Sequence, residues 1–215
     1  MSTTSASPPT VEAPNYSEDR FAGDCDPNGC DLNPYRMGVQ DFPGDGKTVD
    51  TSQAITQVPP APSIPTCGPP CHRQSVVTQF QQNEISQFFV QNGQTIEIPD
   101  SAVPGVSGNT ITPEFCESQL EAFGDRDRFG EVGGFSQMNQ AMSGEWVLVM
   151  SLWDDHYANV LWLDSSYPPE KAGQPGGDRG DCPQDSGVPS DVESTLPNAK
   201  VTYNNLRFGP VGSTV

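Results

Sequence analysis

Apolar side chains in this chain come in short runs separated by Gly, Pro, Asn and Asp, without the sustained 3.6-residue period of a long helix. Runs with strand character are Val76-Val77-Thr78-Gln79-Phe80, Phe88-Phe89-Val90-Gln91, Thr95-Ile96-Glu97-Ile98, Trp146 to Trp153, Asn159 to Leu163, and Lys200 to Phe208. Asn92-Gly93 stands between the second and third, as a two-residue hairpin turn would. Thr112-Pro113-Glu114 opens a helical stretch to Phe123, with Thr112 as cap and Pro at the first position, and Gly130 to Met142 allows another short helix. The pattern predicts an all-β protein with minor helices. Several short strands separated by turns predict a sandwich.

The 21 Gly and 22 Pro take a fifth of the 215 positions, which excludes a continuous helical architecture and calls for strands joined by long loops. At 33% hydrophobic residues the chain can build one core, so one domain, or part of one, is expected. Acidic residues outnumber basic ones 28 to 10, for a net charge of −18. No basic run exists to neutralise phosphates, which argues against nucleic acid or anionic lipid and favours a neutral ligand or an acidic medium. Residues 1–14, rich in Ser, Thr and Pro, read as a disordered tail. Residues 54–75 hold six Pro and no acid, unlike both flanks, and read either as a Pro-rich spacer or as translated non-coding sequence.

Cysteines at 25, 30, 67, 71, 116 and 182 form an even set beside the sequon Asn15-Tyr16-Ser17, a combination that points to an oxidising, secretory history and to glycosylation at Asn15. Zinc is the competing reading, but Cys25-x4-Cys30 and Cys67-x3-Cys71 lack the C-x2-C spacing and His72 and His156 are the only histidines; no metal or other cofactor is expected. No segment approaches the roughly 18 apolar residues of a membrane span. The N-terminus has no apolar h-region, so a secreted chain of this sequence would be mature, truncated or mis-started.

All three Trp lie between Trp146 and Trp162. Strand alternation over Trp146–Trp153 gives two largely apolar faces, which predicts a central, doubly covered strand. At its end Trp153 meets Asp154, Asp155, His156 and Tyr157, flat aromatic surface beside hydrogen-bonding groups. Sugar rings need that mixture, because their C–H faces stack on aromatics while their hydroxyls require polar partners. The same residues also fit a plainer role, with Trp153 and Trp162 in the core and the acids capping a turn.

The stretch Met150-Ser-Leu-Trp-Asp-Asp-His-Tyr-Ala-Asn-Val-Leu-Trp-Leu-Asp-Ser-Ser-Tyr-Pro168 closely resembles the family 7 glycoside hydrolases, the fungal cellobiohydrolases and endoglucanases. Cys25-Asp-Pro-Asn-Gly-Cys-Asp-Leu-Asn-Pro-Tyr-Arg36 resembles a second signature of that family, and Gly187 to Ser213 resembles the end of its catalytic domain. The resemblance runs from about Asn15 to Val215, skips 54–75, and corresponds to about the C-terminal half of the domain. It implies a concanavalin-like β-jelly-roll sandwich, here incomplete, enclosing a cellulose chain outside the cell. By the same resemblance Trp153 and Trp162 fall on platform tryptophans, Tyr157 and Tyr167 on groove or loop tyrosines, and Tyr16 on a tunnel-loop tyrosine. Arg20 and Arg179 match arginines of the product-binding region, with Asp31 and Arg36 as polar neighbours; a surface salt bridge is the alternative for each arginine. Asn28 stands where the family has a product-site acid.

Family 7 enzymes act with retention through a Glu nucleophile and a Glu acid/base in a Glu-x-Asp-x-x-Glu strand motif, whose spacing points all three carboxylates to one face. None of the 11 Glu of this chain has Asp two positions later, so no catalytic residue is assigned. The adjacent Asp154 and Asp155 would point to opposite faces of a strand and make a poor replacement pair. The resemblance pairs Cys30 with Cys116 and puts the partners of Cys25 and Cys182 in sequence this chain lacks. The expected function is therefore cellulase action on β-1,4-glucosidic bonds belonging to a complete, monomeric enzyme of which this chain is a part. The alternatives are a non-catalytic cello-oligosaccharide-binding protein and an inactive truncated product. Half a sandwich would also expose strand edges and an apolar face, making the chain marginally stable or aggregation-prone.

Overall fold

The computed structural model describes residues 17–19, 21–24, 28–52, 75–200, 202–203 and 205–214. The tail at 1–14, the segment 54–74, Asn15, Tyr16, Arg20, Cys25, Cys67 and Cys71 lie outside the described residues. The largest sheet is an antiparallel meander of β3 (Ser75–Gln81), β4 (Glu84–Gln91) and β5 (Gln94–Glu97), following a two-residue parallel pair, β1 (Pro43–Gly44) and β2 (Val49–Asp50). Asn92 and Gly93 take φ of 52° and 75° and connect β4 to β5, the left-handed pair that a two-residue hairpin requires. Cross-strand partners Val76–Phe89, Phe80–Ile85 and Phe89–Ile96 fix one face of the sheet. Phe89 and Ile96 turn that face onto a core of Phe42, Val49 and Ile98, with Phe42 and Phe89 edge to face at 5.7 Å. Gln91 links the two sheets: its amide donates to the Asp50 carbonyl at 2.8 Å and accepts from the Asp50 N–H at 3.2 Å.

Helix α1 (Pro113–Phe123) begins where its sequence signals place it: the Thr112 hydroxyl accepts from the Phe115 N–H at 3.2 Å and Pro113 opens the first turn. Gly124, at φ 64°, ends it. The helix buries Phe115, Cys116, Gln119 and Phe123, and Phe115 and Phe123 pack with Met37 and Val106 in a second core cluster. Leu32 lies against both clusters. A disulfide joins Cys30 to Cys116, and the Gln119 amide donates to the Asp31 carbonyl at 2.7 Å, so α1 holds the 30–37 segment in place.

The helix expected over Gly130 to Met142 is two: α2 (Arg128–Glu131), capped by Asp127, and α3 (Gly134–Met142). Gly133 at φ 105° and Gly134 at φ 48° make the break between them. Three expected strands are absent among the described residues. Residues 146–153 carry no regular secondary structure and have no ladder partner among the described residues, and Val147 and Val149 are 84% and 78% exposed. Two apolar faces are the mark of a central strand, but a strand exists only where neighbours supply hydrogen bonds. Asn159 to Leu163 is instead a turn leading into the single-turn helix α4 (Leu161–Asp164), because Asn159 and Val160 both take positive φ and reverse the chain. Lys200 to Phe208 forms no strand in its described part, where the Tyr203 hydroxyl donates to the Ser151 carbonyl at 3.3 Å. A 3₁₀ turn (Pro169–Lys171) and α5 (Pro189–Thr195) complete the elements. No helix among the described residues is long and apolar enough to cross a membrane.

Candidate functional site

Two clusters of polar and aromatic side chains adjoin α4. In the first, the rings of Trp153 and Trp162 meet edge to face, 6.0 Å between centroids and 67° between planes. Because the rings are steeply inclined, they form an aromatic corner instead of a flat floor. Trp153 is 66% exposed and its Nε1–H donates to the Ser151 hydroxyl, while the Trp162 Nε1–H donates to Asp155 Oδ2 at 2.9 Å. Tyr157 beside them is 93% exposed. His156 Nε2 lies 4.0 Å from Asp154 and 3.7 Å from Glu193 of α5. These three offer the one set of metal-type donors within 4.8 Å of one another among the described residues; all three residues are exposed.

Asp155 organises this cluster. One carboxylate oxygen accepts from the Tyr157 and Ala158 N–H groups at 2.9 and 3.1 Å, and the other accepts from the Val160 N–H and the Trp162 indole. Those four donors, the indole first, hold its carboxyl down at about 2.

In the second cluster Asp31 bridges two arginines, accepting from Arg36 Nη1 at 2.7 Å and from Arg179 Nη1 at 3.2 Å. Arg36 is buried, and its other nitrogens donate to Asp125 at 2.6 Å and to the Gly176 carbonyl at 2.9 Å, with the Phe123 ring 4.5 Å beneath the guanidinium. Arg36 is thus held at the edge of the core by partly exposed carboxylates, and the surface salt bridge offered for it becomes a half-buried one. Lys171 pairs with Asp125 at 3.1 Å. Arg179 is lowered from the usual arginine range, first by burial and then by the neighbouring Arg36 charge, and its Nε is buried without a hydrogen-bond partner. Nearby, the Tyr35 hydroxyl donates to Asp181 at 2.8 Å, which raises that phenol to about 12, and Lys47 donates to the same carboxylate at 2.7 Å.

The clusters are joined through backbone. The Arg179 N–H donates to the Ser165 carbonyl at 2.8 Å, the Cys182 N–H to Asp164, and the Tyr167 N–H to Gly177, so the strip 177–182 runs along the end of α4. The Asn33 amide reaches both sides, donating to the Arg179 carbonyl at 3.0 Å and to the Leu163 carbonyl at 3.4 Å. Asp31, Arg36 and Arg179 are therefore brought together, and so are Trp153 and Trp162, with Asp154 and Tyr157 next to Trp153 along the chain; Tyr167 follows α4 and its N–H pairs with Gly177 of the strip. Cys182 is an exposed free thiol, raised above its ordinary range chiefly by partial desolvation. An apolar cavity of about 500 Å³ lies elsewhere, between Ile85, Ile111 and Phe129, Val132, Phe135 and Met138, and has no carboxylate, imidazole or amine on its walls.

The family model for glycosyl hydrolase family 7 matches residues 9–215. The chain belongs to that family. A cellobiohydrolase from Melanocarpus albomyces, solved in complex with cellotetraose, is 55% identical to this family 7 chain, with a TM-score of 0.81 over 93% of this chain and 42% of that one. A family 7 cellobiohydrolase from Daphnia pulex is 40% identical, with a TM-score of 0.80 over 92% and 43%. An endocellulase from Humicola insolens is 30% identical, with a TM-score of 0.62 over 82% and 38%. This family 7 chain thus spans less than half the length of each of these relatives. Membership carries the concanavalin-like β-jelly-roll class with it, and the described residues form no closed barrel, in keeping with an incomplete sandwich.

Sequence reasoning missed Asn33, Asp125, Lys171 and the Tyr35–Asp181–Lys47 group, which are defined by contacts across 46 to 146 residues and leave no local signal. Of the two acids offered as turn caps, Asp155 takes that role, accepting the backbone N–H groups two and three residues on as an Asx turn does.

Proposed function

We propose that this chain is the glucan-holding part of a family 7 cellulase domain. In this reading Trp153, Trp162, Tyr157, Tyr167 and Asp154 contact a β-1,4-glucan, and Arg179, Asp31 and Arg36, with Arg20 and Tyr16, form or support the product side. The carrying observation is the exposed Trp153–Trp162 corner beside Asp154 and Tyr157, in a chain 55% identical to a cellobiohydrolase that was solved with cellotetraose. An aromatic face next to hydrogen-bonding groups is the chemistry a pyranose ring requires. Arg36 serves this site indirectly, by fixing Asp31.

Hydrolysis with retention belongs, in this proposal, to the complete domain, since Glu-x-Asp-x-x-Glu is missing from the sequence given. Residues 1–14 are then a tail, 15–215 the catalytic-domain part, and about 54–75 an insertion. The setting is extracellular and monomeric, with Asn15 glycosylated, no cofactor, and no role for nucleic acid or membrane. The missing motif also favours the second reading, a non-catalytic cello-oligosaccharide-binding protein.

Titration with cellotetraose and assay of reducing sugar test this together. The chain alone is expected to bind cellotetraose and release no sugar, and Trp153→Ala is expected to abolish binding; unchanged affinity would reject the platform. Release of sugar after mixing with a polypeptide supplying the rest of a family 7 domain supports the cellulase reading over the binding-protein reading.

A further inference from the structure

The turn that carries the aromatic corner is held in an unfavourable shape. Asn159 and Val160 sit consecutively in the left-handed region, at φ 52° and 59°. Asn tolerates that region, but a β-branched Val does not, and such residues persist only where their surroundings over-determine them. Here the determinant is the Asp155 side chain. Its Oδ1 fixes the start of the turn through Tyr157 and Ala158, and its Oδ2 fixes the end through the Val160 N–H at 3.3 Å. The same Oδ2 then takes the Trp162 indole at 2.9 Å, which ties the ring to the strained residue two positions before it. Gly187 allows the turn to sit close, since a Cβ there would lie 2.1 Å from the Asn159 carbonyl oxygen.

We propose that Asp155 is the positioning residue of the glucan platform: its carboxylate locks the 155–160 turn and aims the Trp162 ring so that the corner with Trp153 is preformed. This rests on the reading of that corner as a glucan-binding surface. Only a carboxylate serves. Oδ2 accepts two N–H donors, and an Asn that kept its oxygen towards Tyr157 and Ala158 would turn an NH₂ group towards both. Asp155→Asn thus preserves the first half of the turn and removes the bond to the indole.

The test uses the full chain and the variants Asp155→Asn, Trp162→Phe and the double variant, read by indole N–H resonances in NMR and by cellotetraose titration. Trp162→Phe assigns the Trp162 resonance. In Asp155→Asn that resonance is expected to move and to exchange with solvent at least about tenfold faster, and cellotetraose affinity to fall about tenfold, the scale of one lost charge-assisted hydrogen bond. In the Trp162→Phe background the Asp155 change is expected to cost nothing further, which a general loss of structure would not produce. An unmoved indole resonance, or an equal loss of affinity with and without Trp162, overturns the proposal. If the unaltered chain binds no cellotetraose, the glucan reading fails on its own, and the indole resonance still decides whether Asp155 positions Trp162.

Discussion

Arg36 shows how a single side chain comes to hold distant segments together. Its guanidinium is 6% exposed and joins Asp31, Asp125 and the Gly176 carbonyl, which stand 5, 89 and 140 residues away. A buried cation so placed contributes little beyond a well-packed apolar residue. Removing it leaves Asp31 with Arg179 and Asp125 with Lys171, both carboxylates partly exposed, and the Gly176 carbonyl without its donor. Arg36→Ala should therefore destabilise the chain by about 2–3 kcal/mol in thermal or urea unfolding, the scale of lost hydrogen bonds to charged groups. Asp155 gives the residue scale a pH signature. Its folded value of about 2 lies below its ordinary 3.8, so the stabilisation it brings is present above the ordinary value and lost as pH falls towards 2. Asp154, His156 and Glu193 are the other titratable groups at this corner. The Trp162 indole resonance is expected to stay fixed from neutral pH to about pH 4 and to move below it, with Asp155→Asn abolishing the transition.

At the scale of elements, what could be read from the sequence was what local chemistry decides. Thr112 and Pro113 start α1 because a hydroxyl and a missing N–H satisfy the first turn, whatever lies elsewhere in the chain. Asn92-Gly93 closes its hairpin for a similarly local reason. The segment 146–153 is the opposite case. Its apolar pattern declares a strand, yet strand formation needs partners, and the described residues provide none. Likewise α4 follows from a side chain, Asp155, turning the backbone against its preferences, which periodicity does not encode. The exposed run is also a hazard: Trp146, Val147, Leu148 and Val149, without a ladder partner among the described residues, offer apolar faces to any second copy. Val147→Lys with Val149→Lys should lower self-association, seen as a smaller weight-average mass in light scattering, while leaving the melting temperature within about 2 °C, since neither side chain is buried.

For the whole molecule, the Cys30–Cys116 bridge matters most, because it spans 86 residues and encloses both sheets together with the segment 54–74. In the chain-entropy account a loop of that length is worth about 4–5 kcal/mol, so reduction should lower the unfolding midpoint sharply. The same account says that loop length itself counts for little. Shortening the loop by excising 54–74 changes its closure entropy by only about 0.3 kcal/mol, because the dependence is logarithmic. The geometry also permits the excision. Asp50 bonds the Gln91 side chain and Ser75 pairs with Val90, so the flanks of the segment come together at one end of β4. If 54–75 is an insertion into a family 7 domain, the chain without 54–74 should keep its hairpin, its unfolding midpoint and its affinity for cellotetraose. A loss of the β3–β4 amide protection in hydrogen exchange would show instead that the segment supports the sheet, and would remove it from the list of insertions.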